Sequence, residues 1–156
     1  MNPAPIDAHE PWMRALHADT GYLLYRLGLR SGQLFNASLQ ESGLRLRHYA
    51  VLRFLASEAS GRGVLQRELS AGLGYDPSAI VGLVDDLEKA GFAERRPSPD
   101  DRRSRIVVLT DKGRSYLRDS DEAGQRVTGE LLEPLSAKER EALHALLLRV
   151  AEAGLG

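Results

Sequence analysis

The segment that most limits how this chain can fold is YDPSAIVGLVDDLEKAG, residues 75–91, followed at once by FAERR and, eight residues later, by RIVVLT. Asp76 suits a helix N-cap, and Pro77 suits the first helical position, where a missing N–H leaves no bond unmade. Gly91 suits the stop. Between them Ile80, Leu83, Val84 and Leu87 recur at i, i+3, i+4 and i+7, a single apolar stripe. The two runs after the helix read as short strands and the segment joining them as a hairpin loop. Upstream, LQRELSAGLG (65–74) reads as a short helix with Leu65, Leu69 and Leu73 inward and a glycine for a left-handed cap. Two short helices joined by GLGYD form a helix-turn-helix, and a hairpin directly after the second makes a wing.

The flanks are helical. Leu16, Leu23, Leu24, Leu27, Leu34 and Phe35 keep helical spacing, which predicts one long helix over residues 12–39, interrupted by Gly43. A second helix carries Tyr49, Leu52, Phe54 and Leu55 and stops before SGRG. From Thr110 a long polar helix runs to about residue 132, where Pro134 ends it. SAKE then reads as a capping box, Ser136 capping and Glu139 reaching back, ahead of a last helix bearing Leu143, Leu146, Leu147 and Val150. The predicted order is four helices, a hairpin and two helices. That is a mainly α fold with a small β-hairpin wing, a single domain over residues 1–156 in which 45–113 form the winged helix and 12–42 and 114–156 the flanking helices.

The hairpin loop holds a concentration of charge. RRPSPDDRRSR (95–105) has five arginines in eleven residues, although the whole chain is formally −1. Any affinity for a polyanion must therefore come from a local patch. A helix-turn-helix can place its second helix in a major groove while the hairpin tip reaches the neighbouring minor groove. Arginine suits that tip, because its planar, permanently charged head fits a narrow electronegative groove and pairs with phosphates. Asp101, two residues before Arg103, can pin that side chain by a charge-assisted hydrogen bond. A solvated loop whose residues pair among themselves would carry a similar run, but its place directly after a helix-turn-helix favours double-stranded DNA as the partner.

Other chemistries find little support. The 156 residues include no cysteine, which excludes disulfides, thiolate metal sites and thiol redox chemistry. His9, His17, His48 and His144 are scattered, without the spacing of a metal site, and no cofactor motif is present. Ser78 lacks a nucleophile-elbow setting, and the acidic pairs Asp85-Asp86 and Asp100-Asp101 are adjacent, so they do not face one another on a helix. No catalytic site is expected. No apolar run reaches the length of a membrane span, and the N-terminus lacks a signal-peptide pattern, so a cytoplasmic location is the expectation.

Over residues 64–113 the chain resembles the winged-helix core of the MarR family of bacterial transcription regulators. The likeness rests on Leu87-Glu88, Gly91-Phe92, Asp101-Arg102-Arg103, and Leu109-Thr110 with Gly113. It implies a homodimer whose terminal helices interlock while two winged helices face a pseudo-palindromic operator, usually as a repressor relieved by a small phenolic or aromatic ligand. Carried over, residues 77–90 form the recognition helix, with Pro77, Ser78, Val81, Gly82 and Asp85 toward DNA. Asp101 and Arg103 match the family's aspartate-x-arginine pair, with Arg103 for the minor groove. Arg95, Arg96, Arg102 and Arg105 would serve phosphates, which set position rather than sequence. The effector cleft between dimer helices and DNA lobe has candidates in Trp12, His17, Tyr22, Tyr25, His48, Tyr49 and Phe54. The family's peroxide-sensing chemistry, which begins at a thiolate, is excluded here.

The chain departs from the family pattern in two places. The recognition helix is acidic, with four carboxylates against one lysine giving −3 over residues 76–90, and Gly82 stands where a longer polar reader is common. A helical glycine costs about 1 kcal/mol against alanine. Either it lets the helix sit close to DNA, or it reflects close packing or drift. Ser78 would contact phosphate at the helix N-terminus. The second departure, Ala93 in place of a larger aliphatic residue, concerns packing. The acidic helix also leaves an alternative open: a protein-interaction module on a winged-helix scaffold that has lost DNA binding.

Overall fold

Local chemistry sets most element boundaries in the computed structural model, which describes residues 11–39, 42–58, 62–101 and 103–154. The side chains of Pro11, Trp12 and Ala123 lie outside that description, as does the whole of Arg102. The elements are α1 (Pro11–His17), α2 (Thr20–Ser38), α3 (Leu46–Ser57), β1 (Val64–Leu65), α4 (Gln66–Leu73), α5 (Pro77–Lys89), β2 (Ala93–Pro97), β3 (Arg105–Leu109), α6 (Asp111–Leu131) and α7 (Ala137–Gly154).

The long helix expected over residues 12–39 is two helices. The Ala18 amide closes α1 on the Arg14 carbonyl at 3.0 Å, and Asp19 begins α2 by accepting the Tyr22 amide at 2.9 Å. The apolar stripe runs through the break because Leu16 and Leu23 stand seven residues apart, close to two turns, so periodicity alone does not see it. The wing also has a third strand that the hairpin pattern omits. Antiparallel β1 pairs Val64 with Val107, giving the sheet order β1-β3-β2, with Ala93 opposite Leu109 and Pro97 opposite Arg105.

α5 forms as its punctuation predicts. Asp76 accepts the Ser78 amide at 2.8 Å, Pro77 takes the first position, and Ile80, Val84 and Leu87 are fully buried. Gly74, at φ 64°, closes α4 in the left-handed conformation a β-carbon would strain. The stripes of α3, α4 and α5 meet Val107 of β3 in one core with Leu52 and Leu69. Each such side chain contributes about 1.5–3 kcal/mol by leaving water. In α6 the Thr110 hydroxyl caps by accepting the Gly113 amide at 3.1 Å. The capping box of α7 is present: the Ser136 amide donates to Glu139 Oε2 at 2.8 Å and the Glu139 amide to Ser136 Oγ at 3.4 Å.

The flanking helices are less covered. α2 lies along α6, with Phe35 against Gly124 and an exposed Arg30–Glu130 pair at 3.4 Å. Leu24, Tyr25, Leu27 and Leu29 of α2 and Leu146, Leu147, Leu148 and Val150 of α7 are nonetheless 43–66% exposed. No helix among the described residues is long and apolar enough to cross a membrane.

Candidate nucleic-acid interface

On α5 the buried stripe turns Pro77, Ser78, Val81, Gly82 and Asp85 to the surface, as helical geometry requires of positions between stripe residues. Their chemistry differs from a bare acidic face. The Asp76 carboxylate accepts both the Ser78 amide (2.8 Å) and the Ser78 hydroxyl (2.6 Å). In the free chain it thus occupies the helix N-terminus where Ser78 was expected to meet a phosphate. Those bonds, the hydroxyl's first, hold the Asp76 carboxyl below its ordinary range. Gly82 has nothing within 4 Å of where a β-carbon would stand, so close packing within the chain does not explain it.

Arg95 differs most from its expected role. Its guanidinium meets Asp85 at 2.6 Å and Glu88 at 2.7 Å, donates to Gln66 Oε1 at 3.0 Å and reaches the Val81 carbonyl at 3.5 Å. Its backbone amide donates to Glu88 at 2.9 Å. With only 20% of the side chain exposed, Arg95 joins β2, α4 and α5 instead of presenting its charge to solvent. Burial opposes that charge, but the bonds to Glu88 and Asp85 outweigh it and raise the Arg95 pKa further. Glu88 is held below its ordinary range, first by the Arg95 amide and then by its guanidinium. Asp86 is taken by His48, whose Nε2 lies 3.3 Å from Asp86 Oδ2. Because His48 Nδ1 accepts the Arg45 amide at 3.0 Å, the neutral ring carries its proton on Nε2 and donates it to Asp86. All four carboxylates of the acidic helix thus have partners inside the chain.

At the wing tip, Asp101 does not hold the Arg103 guanidinium. Its carboxylate accepts the Arg103 backbone amide at 2.9 Å and the Ser104 hydroxyl at 2.7 Å, while the Ser104 amide donates to the Asp101 carbonyl at 2.9 Å. Accepting the backbone amide two residues along the chain is the bond of an Asx turn. The Ser104 and Arg103 bonds, in that order, keep the Asp101 carboxyl low. The turn is tied, and the arginines are left outward. Arg103 and Arg105 are exposed and, among the described residues, have no carboxylate partner. Arg96 is exposed beside Glu94, its neighbour across one residue of the strand. The exposed Arg67 of α4, which the sequence reading did not single out, adds positive charge beside Asp101.

The aromatic candidates do not gather in one cleft. His17 and Tyr25 are exposed, and Tyr22 packs against Arg26. The Tyr49 ring packs tilted against Phe35 at 4.9 Å and its hydroxyl donates to Asp121, and Phe54 fills the space beside Gly72. The side chain of Trp12 lies outside the described residues. His48 lines a cavity of about 950 Å³ between the α2–α3 corner and α5, where Asn36, Arg45, Arg47, Gly82 and Asp86 are among its walls, and Phe54 lines a separate one of about 460 Å³. Among the described residues no group of three metal-ligating side chains comes together.

A family model described as the MarR family matches residues 42–104. The chain is 31% identical over 149 residues to the transcriptional repressor MprA of Escherichia coli K12, across 91% of this chain and 84% of that one. It also superposes on CouR from Rhodococcus jostii RHA1, solved bound to p-coumaroyl-CoA, with a TM-score of 0.76 and 35% identity over 88% of this chain and 95% of that one. The chain belongs to the MarR family. The Mycobacterium tuberculosis MarR family protein Rv2887, solved in complex with DNA, matches with a TM-score of 0.71 and 26% identity over 85% and 97% of the two chains. The protein is thus a DNA-binding transcription regulator on a winged helix and not an enzyme.

The positions that carry the MarR likeness have structural work to do. Glu88 anchors Arg95. The Thr110 hydroxyl donates to the Gly91 carbonyl at 2.7 Å, and Lys112 Nζ to the Ala90 carbonyl at 2.7 Å. A β-carbon at Gly113 would collide with the Phe92 carbonyl, so only glycine lets α6 start this close to the end of α5. These contacts fix α6 against the end of α5. Ala93 is buried opposite Leu109, a packing position.

Proposed function

We propose that this MarR-family chain works as a homodimeric repressor of a pseudo-palindromic operator, gripping DNA through the wing. The observation that carries the reading is the tied Asp101 turn presenting Arg103 and Arg105 outward, beside a helix-turn-helix whose own acids are already paired. Arg103 takes the minor groove; Arg96, Arg105 and Arg102 serve the backbone. The exposed apolar faces of α2 and α7 are what a dimer would bury, and MprA, a repressor by name, is similar over nearly the whole chain. The interaction-module reading rested on the acidic recognition helix, whose carboxylates are already hydrogen-bonded within the chain, Asp85 and Glu88 to the single guanidinium of Arg95.

Release would come from a small organic anion in the His48 cavity, where Arg45 and Arg47 supply positive charge. CouR, solved with p-coumaroyl-CoA, is a relative with an aromatic acyl ligand. Through linkage, a ligand favouring the DNA-incompetent arrangement weakens DNA binding, and DNA weakens ligand binding equally. The test is fluorescence anisotropy of the purified protein on labelled DNA from upstream of its own gene across a salt series. Tight binding that competitor DNA does not displace, with a steep salt slope, is the expected result. Weak binding equal for every sequence, there and in selection from random duplexes, would sink the operator reading.

A further inference from the structure

The outer face of α5 holds few groups able to read a base edge. Asp85 is committed to Arg95, the Ser78 hydroxyl hydrogen to Asp76, and Gly82 has no side chain. What remains between Ser78 and Asp85 is Val81. It is 45% exposed, and among the described residues it is the one large apolar side chain left exposed outside α2 and α7. No packing role explains it, since the stripe of α5 runs through Ile80, Val84 and Leu87. Val81 stands three residues after Ser78 and four before Asp85, on the same face. The open space at Gly82 lets another surface approach the backbone beside it.

An isopropyl group entering a major groove meets one apolar feature, the 5-methyl group of thymine. We infer that Val81 is the specificity-determining residue of this recognition helix, and that it reads a thymine methyl once in each half-site. The inference rests on the operator-binding reading above. It also explains how a helix whose Ser78 and Asp85 side chains are already engaged can still discriminate. The methyl supplies sequence information, while the wing supplies affinity.

The test begins with duplexes selected from a random pool by the full-length protein. In the selected site each thymine is then replaced in turn by uracil, which removes only the methyl. One position per half-site should weaken binding by about fourfold, the effect of one methyl kept in water. That factor should hold at low and high salt, because no counterion is released at a methyl. With Val81→Ala, thymine and uracil duplexes should bind alike. If every uracil duplex bound wild type as tightly as its parent, or if Val81→Ala kept the discrimination, the inference would be overturned while the operator reading stood. Selection yielding no preferred sequence would overturn both.

Discussion

Arg95 and Arg103 belong to one hairpin and differ in their surroundings. The first is held by two carboxylates with 20% of its side chain exposed, and the second is exposed on a turn tied by Asp101. Arg95→Gln should therefore lower folding stability by about 1–2 kcal/mol, since its acidic partners are themselves partly solvated. It should leave the slope of log affinity against log salt nearly unchanged. Arg103→Ala should do the reverse, sparing the melting temperature, reducing the slope by about one per subunit and costing more affinity than Ser78→Ala. Thermal melts paired with salt-series titrations separate the two. Glu88 adds a pH signature. Its folded pKa is depressed below the ordinary 4.5, so its contribution is fully present above that value and is lost as pH falls through the folded pKa. The stability gap between wild type and Glu88→Gln should stay flat from about pH 8 to about pH 5.5 and close below about pH 4.5. Arg95 looked like a phosphate ligand in the sequence because its partners are distant along the chain: Glu88, Asp85 and Gln66 lie seven, ten and 29 residues away.

At the scale of elements, what could be read in advance was what is local. The Asp76-Pro77 start, the stripe of α5 and the Ser136–Glu139 box all resolve within a few residues, and each forms as the spacing predicts. The break at Asp19 hid inside an unbroken apolar period, and β1 exists only because Val64 meets Val107 more than forty residues later. The junction between α5 and α6 is where local and distant requirements meet. Thr110 both caps α6 and bonds the Gly91 carbonyl, so Thr110→Ala should cost about 1–2 kcal/mol. Gly113→Ala, which drives a methyl into the Phe92 carbonyl, should cost more, about 3 kcal/mol, unless the junction opens. Denaturant melts of both variants test this order. A Gly113→Ala protein as stable as wild type would show that α6 does not need so close an approach.

For the whole molecule, the apolar faces of α2 and α7 mark how much of the fold a single chain leaves unfinished. Leu147→Glu combined with Val150→Glu should give a monomer by sedimentation equilibrium, with operator affinity falling to that of one half-site, while the winged-helix core keeps its fold. If the double variant remained dimeric, the partner surface would have to lie elsewhere. Gly82 carries a different consequence. Its position weakens the helix, and space stands open above it, so replacing it should strengthen α5 by up to about 1 kcal/mol while adding a new group to its exposed face. If α5 meets the operator as proposed, a single codon at Gly82 would redirect target choice with no compensating change among its neighbours in the fold, and the set of genes governed would drift faster than the architecture.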